Sequence, residues 1–232
     1  MDWNSKLINN LNFGTNINNL EAKLKIAKMV AAKAKNGETI GFGSGSTSYL
    51  TILEIGKRVA NEGLRIKAIP TSHEVELTCI QLQIPAVSFN ALRPDWCFDG
   101  ADEVDAANNL IKGRGGAMFK EKLIMAASPK TFILADSSKL VKRLGEKFPV
   151  PVEVIPFALS GVESSLLTLG ATSIQLRMAG GKDGPVITEN GNFILDVHFN
   201  DIGEGLEKQI KLIPGVLDSG LFIGYNIEVV SS

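Results

Sequence analysis

Apolar residues recur at helical spacing near the start of the chain. They stand at Leu20 and at positions 24, 27, 31 and 34, after Asn19 and before Gly37. Apolar positions with this period form the buried face of an amphipathic helix, here with an N-cap at Asn19 and an end at Gly37. The pattern predicts a first helix that packs against a core and follows a short N-terminal extension.

Short apolar runs then alternate with segments of helical character. Strands are predicted over residues 39–42, 65–69, 95–98 and 131–135, and helices over residues 47–60, 72–82 and 116–127. Strands that alternate with helices are typical of a parallel sheet with helices on both faces. We therefore expect an α/β fold with a doubly wound, mostly parallel, Rossmann-like sheet, whose ligands lie beyond the carboxyl ends of the strands.

The order of elements changes in the second half of the chain. Strands are predicted over residues 150–157, 172–178 and 215–223 and as two runs within 186–197, and helices over 161–169 and 205–213. This is close to the β-α-β-β-α-β order of a ferredoxin-like α+β domain, and a last strand at 227–230 could return to the first sheet. The predicted division is a Rossmann-like domain of residues 1–145 plus 225–232 and a smaller ferredoxin-like domain of residues 146–224.

Composition and charge exclude several classes of function. The chain has 232 residues, of which 44% are hydrophobic and 21% are charged, and this balance is typical of folded globular proteins. The formal net charge of -1 gives no overall attraction to nucleic acid or to an anionic membrane. We therefore expect neither a nucleic-acid partner nor a membrane partner.

Cysteines, histidines and the N-terminal residues bear on compartment and metal binding. Cys79 and Cys97 form no C-x-x-C pair, and His73 and His198 lie in different predicted domains, so neither disulfides nor a metal site is predicted. The N-terminal extension contains no Arg and no continuous apolar block, unlike a secretory or transit peptide. These features favour the cytoplasm.

A glycine-rich turn connects the first predicted strand to the second predicted helix. It reads GFGSGST over residues 41–47 and offers backbone amides and the hydroxyls of Ser44, Ser46 and Thr47 at a helix start, where anions are favoured. Ser46 replaces the third glycine of a dinucleotide fingerprint, and a Walker loop would need a lysine. The turn predicts a site for one phosphate group, and the alternative is a capped helix start with tight packing.

Four acidic residues follow the strand predicted over residues 95–98, namely Asp99, Asp102, Glu103 and Asp105. Because the run begins at the carboxyl end of a strand, at least one carboxylate should face a ligand. The run lacks the glycine that an EF-hand needs at its sixth position. Two alternatives stay open. In the first, two carboxylates and a substrate phosphate together hold a magnesium ion, and in the second the run is a charged loop without a chemical role.

A second glycine cluster, KGRGGA over residues 112–117, stands at another helix start. Lys112 places a cation near backbone donors, as is needed to hold a phosphate or to stabilise a developing oxyanion. Glu121 follows within the helix, where spacing alone favours an ordinary solvent-facing residue. Lys139 follows the next strand and could also reach a ligand, and its alternative is a surface lysine.

These segments in this order resemble ribose-5-phosphate isomerases of the A type. The likeness is carried by GFGSGSTS, DWCFDGADEVD, KGRGGAMFKEK, ADSSKLV and LGEKFPVPVEVIPFA, and it continues through NGNFILDV and IPGVLDSGLF. The resemblance implies an aldose-ketose isomerase that interconverts ribose 5-phosphate and ribulose 5-phosphate in the non-oxidative pentose phosphate pathway. It implies a small sugar phosphate as partner, no cofactor and no metal, and a homodimer or homotetramer.

The resemblance also assigns site residues. The implied substrate-binding positions are Ser44, Gly45, Ser46, Thr47, Asp99, Gly100, Ala101, Asp102, Lys112, Gly113, Arg114, Gly115 and Lys139. Glu121 is implied as the catalytic base, with Lys112 and Asp99 stabilising an enediolate. Asp102 shares the acidic site, and either aspartate could assist opening of the sugar ring.

Other classes of function stay open beside this resemblance. A non-catalytic sugar-phosphate sensor has a similar fold, although such regulators usually carry a helix-turn-helix, for which the N-terminal extension is short. A CoA-transferase-like enzyme would need a nucleophilic glutamate in another context. A metal-dependent isomerase would need clustered histidines.

Overall fold

A computed structural model describes residues 6–14 and 17–231 of the chain. Residues 1–5, 15 and 16, which belong to the expected N-terminal extension, and residue 232 lie outside the described residues. The chain forms two compact units, the first from Met1–Gly100, Leu123–Ser138 and Asn226–Ser232, the second from Ala101–Lys122 and Lys139–Tyr225. The predicted division assumed one contiguous insertion, and it differs at residues 101–122, 139–145 and 225, which belong to the second unit.

The described residues form the following helices and strands. The helices are α1 (Lys6–Asn9), α2 (Leu20–Ala31), α3 (Ser46–Glu62), α4 (His73–Gln81), α5 (Met118–Ala127), α6 (Leu159–Thr168) and α7 (Leu206–Lys211). The strands are β1 (Thr39–Phe42), β2 (Lys67–Pro70), β3 (Trp96–Gly100), β4 (Glu103–Val104), β5 (Leu110–Ile111), β6 (Thr131–Leu134), β7 (Val150–Val154), β8 (Ala171–Leu176), β9 (Phe193–Phe199), β10 (Val216–Ser219), β11 (Leu221–Phe222) and β12 (Ile227–Val230). No helix among them is long and apolar enough to span a bilayer.

The first unit contains a sheet of five parallel strands in the order β12-β6-β3-β1-β2. Alternate residues of β1 point to opposite faces of this sheet. Phe42 packs with the core on one face, and a Cβ on Gly41 would meet Ile124 of α5 on the other. The predicted doubly wound sheet is therefore confirmed. The last predicted strand, β12, also returns to this sheet, where it pairs with β6 and forms one edge.

Aromatic rings fill the centre of this first core. Phe42 and Phe98 are fully buried with ring centroids 5.0 Å apart, and the Trp96 ring lies 6.1 Å from Phe98. Helices α2 and α3 contribute Ile26 and Ile52 to the same cluster. The prediction for this first helix was wrong at both ends, because Asn19 adopts a left-handed conformation with φ 54° and its side chain caps no amide, and because α2 ends at Ala31 and not at Gly37.

The second unit contains the predicted ferredoxin-like arrangement. Its elements follow the order β7-α6-β8-β9-α7-β10, and the strands form an antiparallel sheet in the order β10-β7-β9-β8. Val152 and Val154 of β7 pack with Val162 of α6 and Ile210 of α7. The apolar face of the sheet is thus covered by its two helices.

Two strand predictions in the second unit were wrong. The run at 186–188 is not a strand, because next to it only Pro185 forms a bridge, with Met178, and the Thr188 hydroxyl donates to the buried Glu153 carboxylate at 2.7 Å. The run at 215–223 is split into β10 and β11, because β10 pairs with β7 whereas β11 pairs with β5, and the backbone at Gly220 between them passes so close to the Lys112 carbonyl that a Cβ would collide with it. As a result, β11 joins β5 and β4 in a small antiparallel sheet.

We expect Phe98→Ala to lower the free energy of unfolding by about 3–5 kcal/mol, because the substitution leaves a cavity beside two other aromatic rings. Phe157→Ala is the control, since the Phe157 side chain is 101% exposed, and its effect should stay within about 0.5 kcal/mol. Urea denaturation of both variants and the wild type measures the difference. Equal stability of the two variants would contradict the packing described here.

Candidate functional site

The glycine-rich turn after β1 brings backbone donors to the end of the sheet. A Cβ on Gly43 would lie 2.6 Å from the Asp99 Cα atom, so only glycine fits where β1 passes β3. Gly45, the N-cap of α3, has φ 90° and as a glycine offers no side chain to cap the first amides of this helix. Such amides at a helix start favour an anion, which stays a prediction for this turn.

Three hydroxyl groups meet at the carboxyl ends of β1 and β2. Ser44 Oγ lies 2.8 Å from Thr71 Oγ1 and donates to Ser72 Oγ at 2.9 Å. Ser46 is exposed at the start of α3, whereas Thr47 is buried. The sequence analysis did not identify Thr71 or Ser72 as neighbours of the turn, since they are distant in sequence.

A lysine from α2 also reaches this turn. Lys23 Nζ lies 3.3 Å from Ser46 Oγ, and Lys23 is only 8% exposed. Its position belongs to the buried stripe of α2, because Ile26, Ala27 and Val30 follow at intervals of three, four and seven residues. A lysine on an apolar stripe is the signal that could have identified it from sequence.

Asp99 lies in the first unit at the end of β3. Its side chain is 3% exposed, and Asp99 Oδ1 accepts a hydrogen bond from the Gly100 amide at 2.7 Å. Its position beside Gly43 places the carboxylate next to the glycine-rich turn. The structure therefore brings Asp99, Gly100 and the turn of residues 43–47 together, and a ligand at the end of this strand stays a prediction.

The other acidic residues of the run belong to the second unit and hold backbone segments. Asp102 Oδ2 accepts from the Arg114 amide at 3.1 Å, which fixes the lysine-glycine loop. Glu103 is fully buried, and its carboxylate accepts from three amides of residues 145–148 at 2.5–2.7 Å. Asp105 closes its own turn by accepting from the Asn109 amide at 2.8 Å.

A buried ion pair joins the lysine-glycine loop to α5. Lys112 Nζ lies 3.3 Å from Glu121 Oε2, and the two side chains are only 3% and 7% exposed. The Phe222 ring lies 5.6 Å from Lys112 Nζ and shields it from water. Glu121 is therefore not the solvent-facing residue that its spacing alone favours.

The adjacent residue of α5 is anchored by two further carboxylates. Lys122 Nζ lies 2.6 Å from Asp218 Oδ1 and 2.7 Å from Glu207 Oε1. Tyr225 lies near these groups, and burial together with the Glu207 and Asp218 charges raises the pKa of its hydroxyl well above the ordinary value. Lys122 thus holds α5 in place on the side next to Glu121.

Arg114 and Lys139, two further predicted site residues, share one aromatic ring in the second unit. The Arg114 guanidinium lies 5.7 Å and the Lys139 ammonium 5.4 Å from the centre of the Phe148 ring. Beside them is a cavity of about 330 Å³ that is also lined by Asp102. Ala101, Gly113 and Gly115 lie in the backbone segments that carry these side chains.

Possible metal ligands and one cysteine were compared with the needs of metal or thiol chemistry. In residues 6–14 and 17–231, no group of three His, Cys, Asp or Glu side chains could hold a metal ion. Burial, and secondarily the Glu76 charge, raises the pKa of the Cys79 thiol to about 12, which keeps it protonated.

The two units therefore supply different chemical groups. The first offers amides, hydroxyls and the Lys23 ammonium, which suit a phosphate. The second offers the Glu121 carboxylate beside the Lys112 ammonium, which suit proton transfer and the stabilisation of negative charge on oxygen.

Comparisons with known proteins give one consistent result. The family model described as ribose 5-phosphate isomerase A (phosphoriboisomerase A) matches residues 67–232. The ribose-5-phosphate isomerase A of Methanocaldococcus jannaschii is 45% identical over 208 residues, which cover 89% of this chain and 92% of that protein. The protein of the same name from Archaeoglobus fulgidus is 43% identical over 212 residues, with 90% and 93% covered.

Solved structures are similar over nearly the whole chain. The M. jannaschii ribose 5-phosphate isomerase A has a TM-score of 0.89 at 43% identity, covering 93% of this chain and 96% of that one. A D-ribose-5-phosphate isomerase in complex with phospho-erythronic acid has a TM-score of 0.88 at 39% identity, covering 92% and 96%. The chain therefore belongs to the ribose 5-phosphate isomerase A family.

Proposed function

We propose that this protein interconverts D-ribose 5-phosphate and D-ribulose 5-phosphate. The observation that carries the proposal is the buried pair of Lys112 and Glu121, with 3.3 Å between Nζ and Oε2. A buried ion pair is a weak source of stability, because both charges lose their hydration. Its chemical use, a carboxylate held beside a cation, matches what an aldose-ketose isomerisation requires.

Glu121 is proposed as the base. The reaction moves a hydrogen between two adjacent carbons, so a base removes a proton from the carbon beside a carbonyl and returns it to the neighbouring carbon. One carboxylate can perform both transfers if it is held rigidly. Glu121 is held by the helix α5, whose next residue Lys122 is bound to two carboxylates.

Lys112 and Asp99 are proposed to act on the oxygen atoms of the substrate. The enediolate between the two proton transfers carries negative charge on oxygen, and a fixed donor near such a charge contributes about 3 kcal/mol to catalysis. The Lys112 ammonium supplies a buried cation, and Asp99 is proposed as the acid that acts on a substrate oxygen. Asp102 is proposed to share the acidic site, and its contact with the Arg114 amide supports a role in holding the loop.

The phosphate of the substrate is assigned to the turn before α3. Gly45, the uncapped amides of α3 and the hydroxyls of Ser44, Ser46 and Thr47 are the proposed donors, and Lys23 adds a positive charge. A relative in complex with phospho-erythronic acid, a phosphorylated sugar acid, supports a ligand of this kind. Binding energy from the phosphate is remote from the reacting carbons and helps to hold them in place. Arg114 and Lys139 are proposed to contact the same ligand.

Family membership supports several further expectations. We expect the reaction to serve the non-oxidative pentose phosphate pathway in the cytoplasm, without a cofactor, in a homodimer or homotetramer. The decisive experiment mixes the purified protein with ribose 5-phosphate in the presence of a chelator and follows the formation of ketopentose phosphate. Absence of product with and without added divalent metal would overturn the proposed function.

Replacing Glu121 tests the base. We expect Glu121→Gln to lower kcat by about 10²–10⁴-fold, because the amide cannot accept the proton, while KM changes little. Glu189→Gln is the matched control, since Glu189 also pairs with a lysine of α5, Lys120 at 2.7 Å, but on an exposed surface. The control should retain wild-type turnover in the same coupled assay. Turnover of Glu121→Gln within about tenfold of the wild type would remove Glu121 from this role.

Replacing Lys23 tests the phosphate site. We expect Lys23→Met to raise KM about ten- to a hundredfold, the loss associated with one hydrogen bond to a charged group. The value of kcat should stay near that of the wild type, because the lost contact is present in both the ground state and the transition state. Lys28→Met, on the exposed side of the same helix, is the control and should change neither constant. An unchanged KM in Lys23→Met would exclude a contact between Lys23 and the phosphate.

A further inference from the structure

The antiparallel sheet of the second unit has a polar face opposite its helices. Glu153 of β7 stands directly across from Asp218 of β10, and Asp196 of β9 stands across from Pro151, two residues before Glu153. Residues at alternate positions of a strand share a face, so these three carboxylates lie on the same side of the sheet. Asp218 binds Lys122 of α5. This face is therefore where the sheet supports the segment that contains Glu121.

Arg177 connects this face to the lysine-glycine loop. Its guanidinium forms a two-pronged pair with Asp196, with Nε donating to Oδ2 at 2.8 Å and Nη2 donating to Oδ1. Nη1 donates to the carbonyls of Gly113 and Arg114 at 2.9 and 3.0 Å. One planar side chain thus fixes two consecutive carbonyls of the loop to a single aspartate.

The lysine-glycine loop depends on such contacts with other segments, because its own glycines do not restrict its backbone conformation. Gly113 and Gly116 have φ values of 100° and 77°, a region that glycine enters freely, so the backbone of this segment loses much entropy when it is ordered. Arg177 holds it through carbonyl oxygens, and Asp102 holds it through the Arg114 amide. The residue immediately before the held carbonyls is Lys112.

We propose that Arg177, oriented by Asp196, is a positioning residue that keeps Lys112 at its distance from Glu121. The inference rests on the proposed isomerase function. Arg177 acts through the loop backbone and is not assigned to the substrate. Arg177 donates to the carbonyl of Gly113, the residue that follows Lys112. The proposed phosphate donors before α3 are not among the hydrogen-bond partners of Arg177 described above.

Arginine is the side chain suited to this task. Its rigid fork presents donors in two directions in one plane, toward a carboxylate and toward the two carbonyls. A lysine keeps the charge and can still pair with Asp196, but a single ammonium cannot reproduce the same geometry. Arg177→Lys therefore separates the positioning of the loop from the simple presence of a positive charge.

The chain contains a matched control in the first unit. Arg58 makes a similar set of hydrogen bonds, with Nη1 donating to the carbonyls of Ala31 and Ala34 at 2.7 and 2.9 Å and Nε donating to Glu62 at 2.9 Å, so it has one bond to a carboxylate where Arg177 has two. It lies near the C-terminal end of α3, away from the turn at the start of this helix. Arg58→Lys removes an equivalent structural contact without disturbing the loop of Lys112.

The experiment compares kcat, KM for ribose 5-phosphate and Tm in the wild type, Arg177→Lys and Arg58→Lys. We expect Arg177→Lys to lower kcat about ten- to a hundredfold with KM nearly unchanged, since small displacements of a catalytic group have effects of this size. Arg58→Lys should lower Tm at most and leave kcat at the wild-type value. Equal kcat in the two variants, or a change confined to KM, would overturn the inference.

Asp196→Asn gives a second, independent measurement. It removes the charge that orients Arg177 while keeping the shape of the side chain, so we expect a fall in kcat of the same kind. If Arg177→Lys does not fold, the kcat of Asp196→Asn tests the inference in its place. In the double variant the two losses should not multiply, because both remove the same support. Multiplicative losses would overturn the pairing, whereas a wild-type protein without isomerase activity would overturn the proposed function itself.

Discussion

The buried pair of Lys112 and Glu121 is the constraint on which the architecture of the second unit depends. Two opposite charges with 3% and 7% exposure lose most of their hydration, at a cost of several kcal/mol for each ion. Their mutual attraction offsets this cost only where the partners are held in good geometry. The surrounding structure supplies that geometry from both sides. The loop of Lys112 is fixed by Arg177 and Asp102, and the helix of Glu121 is fixed through Lys122.

The ferredoxin-like sheet has a different use for each of its faces. One face carries valines such as Val152 and Val154 and packs on α6 and α7, which gives the unit its hydrophobic core. The other face carries carboxylates, of which Asp196 and Asp218 bind the cations that hold the loop and α5. An antiparallel sheet commonly packs one face on the core and carries polar residues on the other. Here two of the polar residues are themselves buried, since Glu153 is 0% and Asp218 6% exposed. The polar face therefore marks the side that supports the candidate site.

The sequence predicted the features that depend on the local periodicity of apolar residues. It did not predict the features that depend on contacts between distant segments. The alternation of strands and helices, the glycine turn and the order of the second unit follow from periodicity and turn residues, and they agree with the structure. Arg177 carries no local signal, because its partners are Asp196, 19 residues away, and two carbonyls more than sixty residues away in the chain. Lys23 carried a signal in its position on an apolar helical stripe. Glu121 was identified only through the family resemblance, since its burial results from contacts with a separate loop.

The run of four acids illustrates why residue type and spacing cannot assign a role. Asp99 belongs to a strand, so the alternation of β3 fixes its direction, and the missing side chain of Gly43 leaves room beside it. Glu103 stands only four residues later, yet it is fully buried and accepts three backbone amides. Each carboxylate is defined by which donors reach it, and those donors come from segments that the chain places nearby only after folding. Asp102 and Asp105 also accept backbone amides, whereas Asp99, which accepts the amide of the next residue, lies beside Gly43 of the glycine-rich turn.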